Sequence, residues 1–294
     1  MSELVQALVL GLLLGGIYAL AASGLTLIFG VMRIINIAQG AFLVLGSFVT
    51  YTLWRQFGLD PLLGVLVTIP VLFVLGWLTY KVTVNPIRTA PMTSTVLLTF
   101  GLALVLEATT GMIWGNNSVS IRPSYADESF SLGSLFIPKA QVYSGLVAVV
   151  VLVLLGLLLT KTWTGRAIRA AAINPTGAEL IGIKVASVAS LVFAVGIAVA
   201  GAGGALTGVL YPFVPGSHYQ WIARLLAIVV LGGMGSINGA VLAAVLFGLA
   251  ETLTSTYISP SWATAVPYAV VFLVLLVRPQ GLLGTKGRED TVMA

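Results

Sequence analysis

Long apolar runs are the feature that most limits what this chain can fold into. A helix needs roughly 20 mainly apolar residues to cross a bilayer, whereas transmembrane barrels show short alternating segments. We therefore predict an all-α, polytopic transmembrane helical bundle with about eight or nine spans. The run at 222–234 is short and ends in glycines, so it is compatible with a full or a half span. The apolar runs lie at 4–29, 37–54, 61–80, 92–114, 140–160, 187–210, 222–234, 238–257 and 262–277.

The composition agrees with a membrane protein formed by a single transmembrane domain, 1–294. Hydrophobic residues make up 59% of the 294 positions and charged residues 8%, against about 25% charged residues in soluble domains. The net charge of +5 is spread over the loops and gives no signal for nucleic acid. The absence of cysteine excludes a disulfide framework. The N-terminus lacks the basic region of a signal peptide, so we expect the first run to be retained as a span.

The placement of Lys and Arg predicts the orientation, because such residues concentrate in cytoplasmic loops. Placing 161–184 inside, and counting 222–234 as a crossing, puts the N-terminus outside, the tail 278–294 inside and the largest external loop at 115–139. The residues then assigned to the inside are Arg33, Lys81, Arg88, Lys161, Arg166, Arg169, Lys184, Arg278, Lys286 and Arg288. Those assigned to the outside are Arg55, Arg122, Lys139 and Arg224.

Little in the sequence indicates chemistry within this chain. There is no Gly-x4-Gly-Lys-Ser/Thr phosphate loop, and His218 as the only histidine excludes a multi-histidine metal site. Ionisable residues within the runs are few: Glu107, Glu251, Arg33 and Arg224. We interpret these as interfacial charges or as pairs inside the bundle. No enzymatic activity, metal or cofactor is expected in this chain, and mid-span charges for an ion-driven carrier are missing.

The segment Lys161–Lys184 is a basic island between two apolar runs. Its alanine-rich part, 165–173, favours helix. Asn174 followed by Pro175 is typical of an N-cap and a first helical residue, and Gly182 can end the second helix. We predict two short helices joined at Asn174. The island could anchor on anionic lipid headgroups or dock a cytoplasmic partner, and the residues alone leave both open.

The island resembles the cytoplasmic loop of permease subunits in the LIV-type ABC transporters for branched-chain amino acids. That loop has the pattern G-R-A-x-R-A-x-A-x-N-P-x-x-A-x-L-x-G-I, which residues 165–183 match. Further stretches resemble the family in the same order, at 18–31, 230–240 and 278–284. The length and the first-span motif favour the LivH-like subunit. One departure is 36–40, Asn-Ile-Ala-Gln-Gly, where the family commonly has Asn-Phe-Ala-His-Gly.

The resemblance implies an inner-membrane permease subunit of an ATP-driven importer for branched-chain or related neutral amino acids. Its partners would be a second, LivM-like permease, two cytosolic ATPase subunits that bind ATP and Mg, and an extracytoplasmic binding protein. The loop 161–186 would couple the ATPases to transport. The alternative is a stand-alone secondary carrier or channel for a small solute. The coupling residues would be Arg166, Arg169, Ala170, Ala171, Asn174, Pro175, Gly177 and Glu179.

Two weaker predictions concern the solute. The irregular segments 33–40 and 232–239 share an Asn before Gly-Ala and suggest a parallel repeat, whose interface would hold the path. The path residues would then be Asn36, Gln39, Gly40, Asn238 and Gly239. The binding protein would dock on the loops 115–139 and 211–221, through Arg122, Asp127, Glu128 and His218, unless these are ordinary solvated loops. The sequence leaves the substrate open among branched-chain amino acids, other neutral or polar amino acids, and urea or related small solutes.

Overall fold

The computed structural model of the protein describes residues 2–88, 90–133 and 135–284. The end of the predicted cytoplasmic tail, 285–294, with Lys286 and Arg288, lies outside the described residues. The helices are α1 (Ser2–Met32), α2 (Gln39–Phe57), α3 (Pro61–Thr79), α4 (Met92–Trp114), α5 (Lys139–Lys161), α6 (Trp163–Ile173), α7 (Pro175–Leu180), α8 (Val185–Leu210), α9 (His218–Gly232), α10 (Ile237–Tyr257) and α11 (Ala265–Val277).

The predicted polytopic helical bundle is confirmed. Among the described residues, six helices are long and apolar enough to span a membrane: α1, α3 with the turns that follow it, α4, α5, α8 and α10. The helices α2, α9 and α11 correspond to further apolar runs of the sequence. The total of eight or nine crossings stays a prediction, because length and composition alone qualify only the six.

Helix α8 forms the centre of the bundle and packs against α1, α2 and α3. Its sequence is rich in glycine and alanine, which lets neighbouring backbones approach closely. A Cβ on Gly204 would overlap the carbonyl oxygen of Leu43 in α2. The Ser47 hydroxyl donates a hydrogen bond of 2.7 Å to the Gly204 carbonyl. The α8 backbone therefore serves as the packing surface, and there is no room there for larger side chains.

Helices α1 and α10 form the other close pair and run antiparallel. Gly11 faces Leu249, and Gly15 faces Val245, where an added Cβ on Gly15 would lie 2.7 Å from the Val245 Cα. Gly248 occupies the matching position on α10, where an added Cβ would lie 2.6 Å from the backbone nitrogen of Gly15. Two α1 glycines spaced by four thus face the α10 backbone around Gly248, as in membrane helices that associate through small residues.

Helices α2 and α9 both begin inside the bundle, not at its surface. The Gln39 amide, in the first turn of α2, donates to the Gly196 carbonyl in the middle of α8, at 3.0 Å. A Cβ on Gly40 would lie 2.6 Å from the His218 carbonyl oxygen, so the first turns of the two helices meet. At 1.5 Å per residue α9 is about 22 Å long, shorter than a hydrocarbon core of about 30 Å. Its length supports the half-span interpretation of 222–234.

The predicted external loop 115–139 is ordered in its described part. It contains an antiparallel hairpin of β1 (Ser129–Leu132) and β2 (Leu135–Pro138), with Ser129 opposite Pro138. Val119 and Phe213 exchange two backbone hydrogen bonds, of 3.0 and 2.9 Å, which join this loop to the segment after α8. We call this end of the molecule the hairpin end, and the opposite end, which carries α6 and α7, the coupling end.

Candidate functional site

The two short helices predicted at the coupling end are present, and their caps explain why they form. The Thr162 hydroxyl accepts a hydrogen bond of 3.0 Å from the Gly165 amide at the start of α6. The Asn174 side chain accepts one of 2.9 Å from the Gly177 amide at the start of α7. Gly182, with a φ of 86°, follows α7 in the left-handed conformation. The Asn174-Pro175 junction is therefore a sharp, locally encoded corner.

Helix α6 is fixed firmly to the end of α5. The Arg169 guanidinium donates to the Leu159 carbonyl, which places a cation at the negative C-terminal end of α5. A Cβ on Gly165 would overlap the same carbonyl, so glycine is required for this close approach. Arg166 lies over the Trp163 ring, with its guanidinium carbon 4.0 Å from the ring centre. Glu179 is exposed on α7.

The α6–α7 pair presents apolar side chains outward. Ile173, Leu180 and Ile181 are 83%, 84% and 75% exposed. Ala171 and Ala178 are buried on the opposite side, where the pair packs on the rest of the chain. Of the three small residues predicted to contact a partner closely, Ala170 and Gly177 are half-buried. The prediction for Ala171 is wrong, because this residue is 1% exposed and packs within the chain. The exposed apolar surface is therefore larger than a contact made by small residues alone. Its bulky residues, Ile173, Leu180 and Ile181, were not among the predicted coupling residues. We call Ile173, Leu180 and Ile181 the coupling patch.

The predicted path residues at the start of α2 are held by hydrogen bonds within the chain. The Asn36 amide donates to the Gln39 side-chain oxygen at 3.1 Å, and Gln39 in turn binds α8. Both side chains are fully buried. Thr99 of α4 accepts from the Ile37 amide at 3.2 Å. These contacts stabilise the start of α2 inside the bundle, and a role for Asn36, Gln39 and Gly40 in the path stays a prediction.

The second predicted path segment lies at the coupling end. The Ser236 hydroxyl caps α10 by accepting a hydrogen bond of 3.1 Å from the Gly239 amide. Gly239 is buried against Gly232, whereas Asn238 is exposed. A Cβ on Gly30, near the end of α1, would lie 3.3 Å from Gly235. The segments 33–40 and 232–239 therefore begin near each other, but only the first leads into the middle of the bundle.

An ion pair that joins α9 to α10 lies among aromatic rings. The Arg224 guanidinium is 3.3 Å from one Glu251 carboxylate oxygen, and the Tyr18 hydroxyl donates to the other at 2.9 Å. Arg224 also lies 4.9 Å from the ring centre of Tyr18 and 5.1 Å from that of Trp221. This pairing agrees with the interpretation that near-end charges pair inside the bundle. The sequence feature that could have predicted this pair is the presence of opposite charges, Arg224 and Glu251, on two consecutive apolar runs.

A second polar cluster lies where α9 begins. One Glu107 carboxylate oxygen, Oε2, is 3.0 Å from His218 Nε2 and 3.0 Å from the Tyr219 hydroxyl. His218 is only 1% exposed, so its predicted place on an external docking loop is wrong. The physical reason is that 211–217 turns back into the bundle: Phe213 and Pro215 are buried, and His218 opens α9 at the depth of Glu107.

The other predicted docking residues lie at the hairpin end. Arg122, Asp127 and Glu128 are exposed. Glu128 pairs with Lys139 at 2.5 Å, across the base of the hairpin. Their exposure is compatible with docking, and their role stays a prediction.

Comparison with known proteins identifies the family. A family model described as "Branched-chain amino acid transport system / permease component" matches residues 7–275. The chain belongs to this permease family. The Escherichia coli (strain K12) high-affinity branched-chain amino acid transport system permease protein LivH is 30% identical over 93% of both chains. The Pseudomonas aeruginosa permease protein BraD of the same system type is 30% identical over 95% of both.

A more distant similarity extends to the other type of subunit. The Salmonella typhimurium permease protein LivM is 26% identical over 91% of this chain and 68% of its own length. No solved structure gives a significant match. The permease is thus a multi-pass membrane transport protein of the branched-chain amino acid ABC permease family, as its four sequence motifs indicated.

Proposed function

We propose that this permease is the LivH-like subunit of an ATP-driven importer for branched-chain or related neutral amino acids. Its partners are a LivM-like second permease, two cytosolic ATPase subunits that bind ATP and Mg, and an extracytoplasmic binding protein. The N-terminus lies outside and the C-terminus in the cytoplasm. The coupling patch is the single observation that carries this proposal, because a bulky apolar surface on a rigid, charged loop has the character of a protein contact.

The attachment of the patch explains how a push from an ATPase reaches the bundle. Arg169 joins α6 to the end of α5, and buried Ile168 and Ala171 pack α6 onto the bundle, where it contacts α1 and α8. Helices packed together in this way move as a rigid unit, because a close-packed interface does not deform continuously. A displacement of α6–α7 therefore shifts α5 and the central α8 together, which is the motion that alternating access requires.

The experiment compares the coupling patch with an equally exposed apolar residue at the other end of the molecule. Leu180→Asp changes the patch, and the control Phe57→Asp changes a side chain that is 73% exposed at the end of α2. Both variants are reconstituted in proteoliposomes with the ATPases, the second permease and the binding protein of the same genome. We expect Leu180→Asp to lower ATP-dependent leucine uptake and ATPase co-purification by about tenfold or more, as for a lost interface anchor, with no change for Phe57→Asp.

An equal response of the two variants would contradict the coupling role of the patch. The alternative function, a stand-alone carrier, predicts that solute uptake does not depend on the ATPase subunits. A carrier takes up solute without ATPase subunits and responds to an ion gradient.

A further inference from the structure

The surface of α4 around Glu107 combines a carboxylate with a lipid-like face. Leu104, Val105 and Met112 are exposed on the same helix, and Glu107 keeps 29% of its side chain accessible. An acidic group left facing hydrocarbon in the middle of a span is costly, and such groups normally face a water-filled cavity or another chain. This face of α4 therefore borders an aqueous space or the second permease in the assembled transporter.

The hydrogen bonds of Glu107 leave one side of its carboxylate free. Both donors, His218 Nε2 and the Tyr219 hydroxyl, approach the same oxygen, Oε2. Among the described residues, no side-chain donor reaches Oε1, and no Lys or Arg nitrogen lies within 4 Å of the carboxylate. The Nδ1 atom of His218 is buried and has no partner in the described part of the chain. The Tyr219 hydroxyl and His218 Nε2 thus both hold Oε2, and Oε1 is left as an acceptor without a side-chain donor in that part of the chain.

The start of α9 lies beside the Glu107 carboxylate. His218 and Tyr219 are the first two residues of α9, a helix of 15 residues. The N-terminal end of a helix carries a partial positive charge that stabilises a nearby carboxylate. Glu107 is therefore a preorganised carboxylate within the bundle, with one oxygen held by two partners and the other available.

A cleft of about 370 Å³ opens beside the carboxylate, lined by Leu104, Glu107, Ala108, Gly111, Met112 and Asn116. The cleft forms because Ala108 and Gly111 have a small side chain and none, respectively. The Asn116 amide folds over Gly111, with its oxygen 2.7 Å from the position that a Cβ on Gly111 would occupy. Leu104 and Met112 supply apolar walls. The cleft thus offers a small apolar surface with a single carboxylate and a single amide at its edge.

We propose that Glu107 forms the ammonium-binding subsite of the translocation path, which binds the protonated amino group of a neutral amino acid on the face of α4 that the second permease closes. The inference rests on the proposed function and deepens it. The free Oε1 accepts from the substrate ammonium, a charge-assisted hydrogen bond in a site of low polarity. The aliphatic substrate side chain packs on Leu104 and Met112. His218 and Tyr219 are positioning residues, since they hold Oε2 and orient the carboxylate.

The test uses the complete transporter in proteoliposomes and two substrates with the same carbon skeleton. Leucine carries the ammonium group, and 2-hydroxy-4-methylpentanoate carries a hydroxyl in its place. For the wild-type complex we expect the hydroxy acid to compete with leucine at least about 10-fold more weakly than leucine itself. For Glu107→Gln we expect the KM for leucine to rise about 10- to 100-fold with little change in kcat, and the preference for the amine to collapse.

Two further variants separate a binding role from a structural one. Tyr219→Phe removes one donor to Oε2 and keeps the ring. We expect the KM for leucine to rise several-fold, which corresponds to a loss of roughly 1 kcal/mol or less in the free energy of binding. Glu3→Gln makes the same chemical change at an exposed position at the start of α1 and should leave both KM and selectivity unchanged. Co-purification of the partner subunits reports whether each variant assembles.

The outcomes distinguish this inference from the proposed function. If the wild-type complex takes up no amino acid in the presence of ATP, the proposed function is wrong. If it takes up leucine but the hydroxy acid competes equally well, the ammonium subsite is wrong while the importer stands. The same conclusion follows if an assembled Glu107→Gln complex keeps the wild-type KM and selectivity.

Discussion

Replacement of Glu251 with alanine should destabilise the bundle by about 4 kcal/mol, because it leaves Arg224 without its counter-ion. Both side chains are only 15% exposed, and the guanidinium lies 3.3 Å from the carboxylate. Removal of one partner from a buried pair costs about 3–5 kcal/mol, and the lost Tyr18 hydrogen bond contributes about 1 kcal/mol of that total. Arg224 Nε already has no partner among the described residues. Little besides the aromatic rings remains to compensate the charge.

The double variant Arg224→Met, Glu251→Gln tests this reasoning, because it removes both charges and keeps an acceptor for the Tyr18 hydroxyl. We expect it to cost at most about 2 kcal/mol, less than Glu251→Ala alone, as found when buried ion pairs are replaced by neutral residues of similar size. The free energy of unfolding would be measured by denaturant titration in mixed micelles, with Arg224→Met as the second single variant. A double-variant cost equal to the sum of the two single costs would refute a coupled pair.

Two further predictions concern packing and pH. Gly204→Val should prevent close packing of α8 on α2 and cost at least about 1–3 kcal/mol, visible as a lost monodisperse peak in size-exclusion chromatography. Gly101 lies on α4 with open space around it, so Gly101→Ala should stabilise the protein slightly. Equal effects of the two substitutions on stability would contradict the close packing at Gly204. Burial, together with the Asp60 carboxylate 3.2 Å away, raises the pKa of Tyr125. The unfolded chain therefore loses this proton first, and stability should fall as the pH rises above about 10. A chain with Tyr125→Phe should show a weaker loss, and an unchanged pH profile would argue against that shift.

Features that depend on local sequence were predictable. The apolar runs mark the helices, since a span needs only length and composition. The Asn174-Pro175 corner formed as expected because a cap and a fixed φ act within one turn. The motifs at 18–31, 165–183, 230–240 and 278–284 predicted the permease family, which the family model confirms.

Features that depend on contacts between distant segments were not predictable. Glu107 and His218 are separated by 111 residues and meet only because 211–217 re-enters the bundle. Periodicity gives no signal for such a turn, so a loop between two apolar runs was assigned to the surface. Gln39 is a similar case: its sequence indicated irregular backbone, but its bond to Gly196 needs the packing of α2 on α8. Glu107, Arg224 and Glu251, the ionisable residues named within the apolar runs, thus have polar partners inside the bundle that only the fold reveals.

The most direct test of ATP-driven import is leucine uptake into proteoliposomes that contain this permease, with and without its ATPase subunits. ATP would be enclosed on the coupling side, and the binding protein would be added outside. We predict uptake only when the ATPases, ATP and the binding protein are all present, with no response to an imposed proton or sodium gradient. Uptake by the permease alone, driven by such a gradient, would contradict the ABC importer and favour the stand-alone carrier.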